Sequence, residues 1–139
     1  MVGGKNEIFL PWEKLNGSNS PLFDLPEQAK IVASLCHPNW GACKPAARKF
    51  HARNCQQVCG QDMEAPVDFV LFWAPEENGT VKGGTATAVF LAREMKIPTF
   101  NLREEETRER WLDLVTQYEH RQKRLWRSLF AIFYSRNNS

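Results

Sequence analysis

Short apolar runs bounded by glycine and proline alternate with segments of helical periodicity over the first hundred or so residues. Residues 7–10 form a short apolar run that Pro11 ends, which predicts a buried strand. Residues 67–73 are almost uninterruptedly apolar, as expected of a central strand covered on both faces by helices. Residues 97–102 form one more such run. The pattern therefore predicts a sheet with three recognisable strands.

Apolar positions three and four residues apart predict helices between these strands. Asp24 and Glu27 have the spacing of a capping box at the start of a first helix, which ends before Pro38. A second helix is predicted over 45–60 and a third over 85–95. This alternation is typical of parallel sheets with right-handed crossovers, so the predicted fold class is α/β with helices on both faces of the sheet.

From Arg103 onward the chain becomes a dense mixture of acidic and basic residues with apolar residues near helical period. This predicts one long C-terminal amphipathic helix, with a break near His120 left open. A strand over 129–134 is the alternative. The chain accordingly divides into an α/β domain, 1–102, and a helical extension, 103–139.

The extension is acidic at its start and basic further along, and it carries more aromatic residues than one exposed helix tolerates. These are Trp111, Tyr118, Trp126, Phe130, Phe133 and Tyr134. We therefore expect a homodimer or higher homo-oligomer through this helix. A partner groove, nucleic acid at the basic end, or a solvated face over a packed stripe are the alternatives.

The net charge and the length of the apolar runs indicate which kinds of partner to expect. The chain has 139 residues with 18 Lys and Arg against 16 Asp and Glu, a net charge of +2. Such a chain lacks the global field of a protein that holds nucleic acid mainly by phosphate neutralisation, so nucleic acid is not favoured. No run approaches the roughly 20 apolar residues that span a bilayer, and the first residues lack a signal-peptide pattern. We expect a cytoplasmic protein with no membrane partner.

The cysteines are clustered within one third of the chain, with two histidines interleaved. The cluster comprises Cys36, His37, Cys43, His51, Cys55 and Cys59. The cysteine spacings are C-x6-C and C-x3-C, whereas structural zinc sites usually present C-x2-C knuckles. Buried reduced thiols are therefore predicted in preference to a zinc site or a disulfide, and neither a metal nor a cofactor is expected.

A glycine-rich turn precedes the third predicted helix. Gly83 and Gly84 let backbone N–H groups approach an anion at the helix N-terminus, and Thr85 and Thr87 add hydroxyl donors. Because the carboxyl edge of a parallel sheet is where such folds bind ligands, the turn predicts a phosphate or ribose-phosphate site. No Walker lysine follows, and close packing of helix on sheet is the alternative role of these small residues.

Other candidate site residues lie near the ends of predicted strands. Trp12 and Trp73 could stack on a base, or they could close the rim of the core, and Pro75 ends the same strand as Trp73. Asp68 and Glu77 are the carboxylates that could reach a bound sugar, although a solvated acid is the more common role. No motif of a known catalytic set is present, so a binding protein is favoured over an enzyme.

Several segments in the same order resemble the DprA/SLOG superfamily of Rossmann-like proteins, in particular its small members from tailed phages and related bacteria. They read IFLPW at 8–12, LNG at 15–17, HPNW at 37–40, PAARKFHARN at 45–54, QVCG at 57–60, VDFVLFWAP at 67–75, GGTATA at 83–88 and IPTFNL at 97–102. The resemblance covers residues 7–102. It implies a nucleotide-binding Rossmann-like sheet in which the glycine-threonine turn holds phosphate and Arg53 and Asn54 make polar contacts.

The chain also departs from this superfamily. Its members usually begin with a strand and a G-G-A-x-G-A-D turn, whereas this chain begins just before what would be the second strand. This leaves a slot in the sheet between the first strand and 67–73. Residues 129–134, a partner chain, or a rearranged strand order are the candidates to fill it.

Three functions follow from these features. The favoured one is a binding protein for a nucleotide or nucleotide-derived signal, which in a phage could sequester a host defence signal in the host cytoplasm. A protein-interaction module acting on a host or phage protein is the first alternative. A nucleoside or nucleotide N-glycosidase that uses Asp68 or Glu77 is the second.

Overall fold

A computed structural model describes the backbone of residues 5–137 and the side chains of residues 5–124. Its helices are α1 (Glu27–Cys36), α2 (Pro45–Cys59), α3 (Ala86–Glu94) and α4 (Glu105–Asn137). Its strands are β1 (Val70–Phe72), β2 (Glu76–Glu77), β3 (Thr80–Val81) and β4 (Thr99–Asn101). Short 3-10 turns lie at Leu15–Gly17 and Trp40–Ala42. One compact unit spans Lys5–Arg103, and α4 belongs to another.

The core of the first unit is built on small side chains where α1, α2 and α3 meet. Ala29 and Ala33 of α1, Ala52 and Cys55 of α2, and Ala92 of α3 are each 0% exposed. Because such residues project little from the helix, the three backbones approach closely at these points. The packing therefore depends on fit between small side chains rather than on large aromatic residues.

The three helices predicted in this unit are confirmed, but the predicted cap of the first is wrong. The residue that precedes α1 is Pro26, and no side chain caps the helix. Asp24 lies too far ahead of Glu27 to cap it, and its carbonyl instead accepts a 2.9 Å hydrogen bond from Gln56 Nε2. At the end of α2, Gly60 has a φ of 81°, which glycine adopts without strain.

The parallel sheet is smaller than the sequence predicts. β1 pairs in parallel with β4, with Val70 opposite Thr99 and Phe72 opposite Asn101. Within residues 5–137 these two strands are the whole parallel sheet, so the prediction of three strands is wrong. Phe72 is buried against α3, whereas Leu71, on the other face of β1, is 40% exposed. Coverage of β1 on both faces is therefore not observed among the described side chains.

Residues 7–10 lie in no helix and in no sheet. Leu10 N–H donates to the Leu22 carbonyl at 2.8 Å, and the Ser20 hydroxyl donates to the Ile8 carbonyl at 2.5 Å. The adjacent loop thus satisfies backbone groups that a strand partner would otherwise satisfy. The apolar character of the run reflects the burial of its last two residues, which needs no strand pairing.

A hairpin that the sequence analysis treats as loop follows β1. β2 and β3 pair antiparallel around Asn78 and Gly79, whose φ angles of 50° and 76° are those of a tight hairpin turn. Arg93 of α3 fixes the hairpin: its Nη2 donates to Glu76 Oε1 at 2.7 Å and its Nη1 to the Gly79 carbonyl at 2.8 Å. The hairpin is therefore attached to α3 and is not a free loop.

Asn101 joins the ends of the two parallel strands. Its side chain is buried; Nδ2 donates to the Ala74 carbonyl at 2.9 Å, and Oδ1 accepts from the N–H groups of Arg103 at 3.1 Å and Ala74 at 3.5 Å. The amide thus satisfies buried backbone groups just beyond β1, where no ladder partner continues.

The long C-terminal helix is confirmed, and α4 is continuous past His120. Residues 129–134 lie within it, so the alternative of a strand there is wrong and this segment does not fill a slot in the sheet. Among the described residues, no helix is long and apolar enough to cross a membrane.

Candidate functional site

The glycine turn connects the hairpin to α3 and lies against α2. Gly83 has a φ of 84°, in the left-handed region that favours glycine. Asn54 of α2 donates from Nδ2 to the Gly84 carbonyl at 2.7 Å, which holds the turn to that helix. The Thr85 hydroxyl caps no backbone group of α3. The turn therefore presents the Thr85 hydroxyl, whereas the first N–H group of α3, that of Ala86, already donates to the Gly83 carbonyl at 3.1 Å.

A cleft of about 520 Å³ lies between α2 and this turn. Its polar lining consists of His51, Arg53, Asn54, Gln57, Gly84 and Thr85. None of the described residues that line it is an aspartate or a glutamate. The cleft is thus rich in hydrogen-bond donors and carries no negative side chain, which favours an anionic ligand.

Arg53 supplies the positive charge of the cleft. Its guanidinium carbon lies 5.7 Å from the centroid of the Phe50 ring, and its Nε is buried without a hydrogen-bond partner among the described residues. Burial lowers the pKa of Arg53, but a guanidinium stays charged at neutral pH. The Nε atom itself is out of reach of a ligand, but the rest of this half-buried cation lines the cleft, and an anion bound there stabilises its charge.

The structure brings together four of the predicted ligand-binding residues in this cleft, namely Arg53, Asn54, Gly84 and Thr85. Gly83 and Thr87 instead line a second, larger cavity of about 590 Å³ between α1, the hairpin and α3. This cavity is mainly apolar. The glycine-threonine turn therefore faces two cavities, and the donor-rich one lies on the α2 side.

The predicted aromatic residues lie outside the cleft. Trp12 packs edge-on against Phe50, with ring centroids 5.1 Å apart, and so borders the cleft only through that ring. Trp73, which is 62% exposed, and Pro75 follow β1 and line neither cavity. The hairpin separates these two residues from the glycine turn along the chain.

The two predicted carboxylates are also outside the cleft. Asp68 is exposed just before β1, and Glu77 is exposed on β2. Neither lines the cleft or the larger cavity. A sugar bound next to Arg53 would therefore have no carboxylate from this pair among the residues around the cleft.

A second constellation lies beside the cleft, where one cysteine meets two histidines. Cys43 Sγ lies 3.6 Å from Nδ1 and 3.7 Å from Nε2 of His37, and the His37 and His51 ring centroids are 4.4 Å apart. The three possible ligand atoms lie within 4.8 Å of one another. Arg48 holds the turn that carries Cys43 by donating to the Trp40 carbonyl at 3.3 Å.

His51 connects this constellation to both cavities. It lines the cleft, and its Nδ1 lies 2.8 Å from the hydroxyl oxygen of Thr87, which lines the larger cavity. Burial lowers the pKa of His51, and the neighbouring His37 lowers it further. The imidazole is therefore neutral at neutral pH and keeps a lone pair for a ligand or a proton.

The cysteine spacings alone disfavour zinc and do not single out this mixed set, although its two histidines are interleaved with the cysteines in the sequence. All four cysteines are free, and Cys55 and Cys59 are buried in the helical core. The signal that points to the set is a histidine and a cysteine around a proline-containing turn, followed by a second histidine on the next helix.

Fold and site together define a small mixed α/β chain with a donor-rich cleft at the start of a helix. Comparisons of the chain with protein-family models, with curated proteins and with solved structures find no match. The functional conclusion therefore depends on the described residues themselves.

Proposed function

We propose that the protein binds a nucleotide or a nucleotide-derived signal through its phosphate, in the cleft between α2 and the glycine turn. The observation that carries the proposal is the half-buried Arg53, a cation that lines a cleft with no carboxylate among its described lining residues. The volume of about 520 Å³ is in the range of small-molecule sites.

The chemistry of such a site follows from its donors. Phosphate oxygens would accept from the part of the Arg53 guanidinium that lines the cleft and from the Thr85 hydroxyl, and the dipole of α3 adds partial positive charge at the end of the turn. Asn54 would act indirectly, because its amide already holds the Gly84 carbonyl. The resemblance to the DprA/SLOG superfamily supports the same ligand class, and we propose a Rossmann-like, phage-type member that sequesters a signal in the host cytoplasm.

Binding without turnover is favoured over N-glycosidic cleavage. Cleavage requires a carboxylate next to the sugar, and neither Asp68 nor Glu77 lines the cleft. Recovery of an intact ligand after incubation would support the binding protein, whereas release of the free base would support the glycosidase.

Arg53→Gln is expected to weaken binding of phosphate-bearing ligands by about 10- to 100-fold, because a hydrogen bond to a charged group contributes roughly 1.5–3 kcal/mol. A thermal-shift screen of nucleotides, cyclic nucleotides and ADP-ribose derivatives would identify the ligand. Titration calorimetry on the strongest hit would then compare the variant with the natural chain.

Lys49→Gln is the matched control, because it removes a positive charge one turn earlier on α2 from an exposed side chain outside the cleft. It should leave the affinity nearly unchanged. Equal losses in the two variants would indicate general electrostatics and would contradict a site at Arg53. Unchanged binding by Arg53→Gln would contradict it as well.

A second candidate function is protein interaction through α4. Large apolar side chains on one face of this helix are exposed, namely Leu114 at 55%, Val115 at 50% and Tyr118 at 48%. Such a stripe favours association with another apolar surface. We propose that a second copy of the chain covers it, in a homodimer or higher homo-oligomer.

Leu114→Glu is expected to shift the protein toward a monomer, because burying a carboxylate in an apolar interface is costly. Light scattering coupled to size-exclusion chromatography would measure the mass. Thr116→Glu places the same charge on the opposite side of α4 and should leave the oligomer intact. A natural chain that elutes as a monomer at all concentrations would contradict self-association, and a host protein would then be sought.

A further inference from the structure

His37, Cys43 and His51 form a cluster that the phosphate cleft does not require. We propose that these three residues bind a Zn²⁺ ion. Two imidazoles and a thiolate are ligands that zinc accepts, and three protein ligands leave a fourth position for water or substrate. His51 also lines the phosphate cleft, but the zinc proposal uses neither Arg53 nor the glycine turn, so Arg53→Gln tests the phosphate site without removing a zinc ligand.

The spacing of the ligand atoms fits a tetrahedral ion. Zn–S of about 2.3 Å and Zn–N of about 2.0 Å at a tetrahedral angle separate sulfur from nitrogen by about 3.5 Å. Cys43 Sγ lies 3.6 Å from His37 Nδ1 and 3.7 Å from Nε2. This separation matches that of two ligands of one ion, and because Sγ is almost equally far from both ring nitrogens, the His37 ring must turn so that one nitrogen faces the metal. All three ligand atoms lie within 4.8 Å, so His51 needs only a small adjustment to join them.

Thr87 fixes the ring of His51 in a way that suits a metal ligand. If Nδ1–H donates to the Thr87 hydroxyl oxygen 2.8 Å away, the lone pair is on Nε2 and is free to coordinate. Metal-ligating histidines commonly donate their other ring N–H to such an outer partner, which orients the imidazole. Thr87 is itself buried, so its position is fixed by the packing of α3.

The loop that carries the other two ligands is also held in place. Arg48 donates to the carbonyls of Trp40 and Gly41 at 3.3 and 3.4 Å, and its guanidinium lies 5.3 Å from the Trp40 ring centroid. Because Arg48 and His51 are on the same helix, this contact ties the turn before Cys43 to the element that carries His51. The ligands are thus largely preorganised.

Zinc would replace hydrogen bonds that the metal-free cluster makes with its own loop. The Cys43 thiol donates to the Asn39 carbonyl at 3.6 Å, and Asn39 N–H donates to His37 Nδ1 at 3.2 Å. On binding, the thiol proton leaves to solvent and the sulfur coordinates as a thiolate, while His37 coordinates as a neutral imidazole. One proton is therefore released from the thiol, with no change of oxidation state.

The experiment uses the purified full chain, stripped of metal with a chelator and titrated with Zn²⁺ and separately with Co²⁺. We expect one ion per chain by elemental analysis. The cobalt form should show a thiolate-to-cobalt charge-transfer band and the intense visible bands of four-coordinate cobalt. Thr87→Val should weaken zinc binding by about 10- to 100-fold, the usual effect of losing an outer partner.

Cys43→Ser and His51→Gln should each remove zinc binding, and Cys43→Ser should also remove the charge-transfer band. Cys36→Ser and His120→Gln are matched controls, since both residues lie outside the cluster, and they should bind like the natural chain. Circular dichroism would verify the fold of each variant, and His37→Asn replaces any cluster variant that does not fold. Absence of stoichiometric zinc in the folded natural chain, or a folded Cys43→Ser variant that binds zinc normally, would overturn the site.

Discussion

Ala52→Leu is expected to destabilise the protein by about 3 kcal/mol, at the upper end of the usual cost of overpacking a core. Ala52 is 0% exposed in the cluster that α1, α2 and α3 share, together with Ala33 and Ala92, which are also 0% exposed. A leucine there adds three carbon atoms where backbones are close together. Because alanine neighbours have no side-chain rotamers to adjust, the helices themselves must separate.

Urea unfolding followed by circular dichroism would measure this change as a lower midpoint with an unaltered slope. Ala46→Leu is the matched control, because Ala46 is an exposed position on the same helix where leucine costs little. It should change the free energy of unfolding by no more than about 0.5 kcal/mol. If both leucine variants were equally stable, the close packing of these helices would be wrong.

Asn101→Ala is the substitution with the second largest expected effect, a loss of about 2 kcal/mol in the free energy of unfolding. It removes the donor to the Ala74 carbonyl and the acceptor for the N–H groups of Ala74 and Arg103. Ala74 is buried, so water cannot easily replace these partners. Leaving buried polar groups unsatisfied accounts for the cost.

Hydrogen exchange would localise the effect, since the Ala74 N–H should exchange faster in the variant than in the natural chain. Asn19→Ala, at an exposed loop position, should change stability by about 0.5 kcal/mol or less. Unchanged unfolding and unchanged exchange in Asn101→Ala would show that this side chain does not join the two strand ends.

The helices of the first unit are predictable from sequence because the signals for each helix lie within its own segment of the chain. Pro45 and Gly60 delimit α2, and apolar residues recur at helical spacing in between. The strands are harder, because a strand exists only with a partner elsewhere in the chain. Residues 7–10 have the apolarity of a strand, yet hydrogen bonds to the following loop satisfy their backbone. The local pattern of apolar residues cannot distinguish a segment that pairs in a sheet from one that bonds to a neighbouring loop.

The hairpin and the Asn101 amide are features of the structure that the local sequence pattern does not predict. Asn78 and Gly79 are a strong turn signal, but Val81 is the one apolar residue of the two flanking strands, so the apolar alternation of a typical hairpin is missing. What fixes the hairpin is Arg93, which lies on α3 well along the chain. Such long-range polar contacts carry no periodic signal in the sequence.

Of the candidate site, the residues that gather in the cleft are Gly84 and Thr85, which a local turn pattern predicts, and Arg53 and Asn54 of α2. The sequence predicts Trp73 and Pro75 near the same turn because it shows no strand between β1 and α3, but the hairpin lies in between. The mixed cysteine and histidine cluster requires a folded loop against α2, so its members are close in space without standard ligand spacing in the chain.

The packing of the alanine and cysteine core also determines how readily its thiols react. Burial raises the pKa of Cys55 to about 12 and also raises the pKa values of Cys36 and Cys59. Since the thiolate is the species that reacts with electrophiles and oxidants, these three sulfurs are poor nucleophiles at neutral pH while the helices stay packed. Covalent damage to Cys55 and Cys59, which are buried, therefore requires that the core open first, whereas the half-buried Cys36 is protected mainly by its raised pKa.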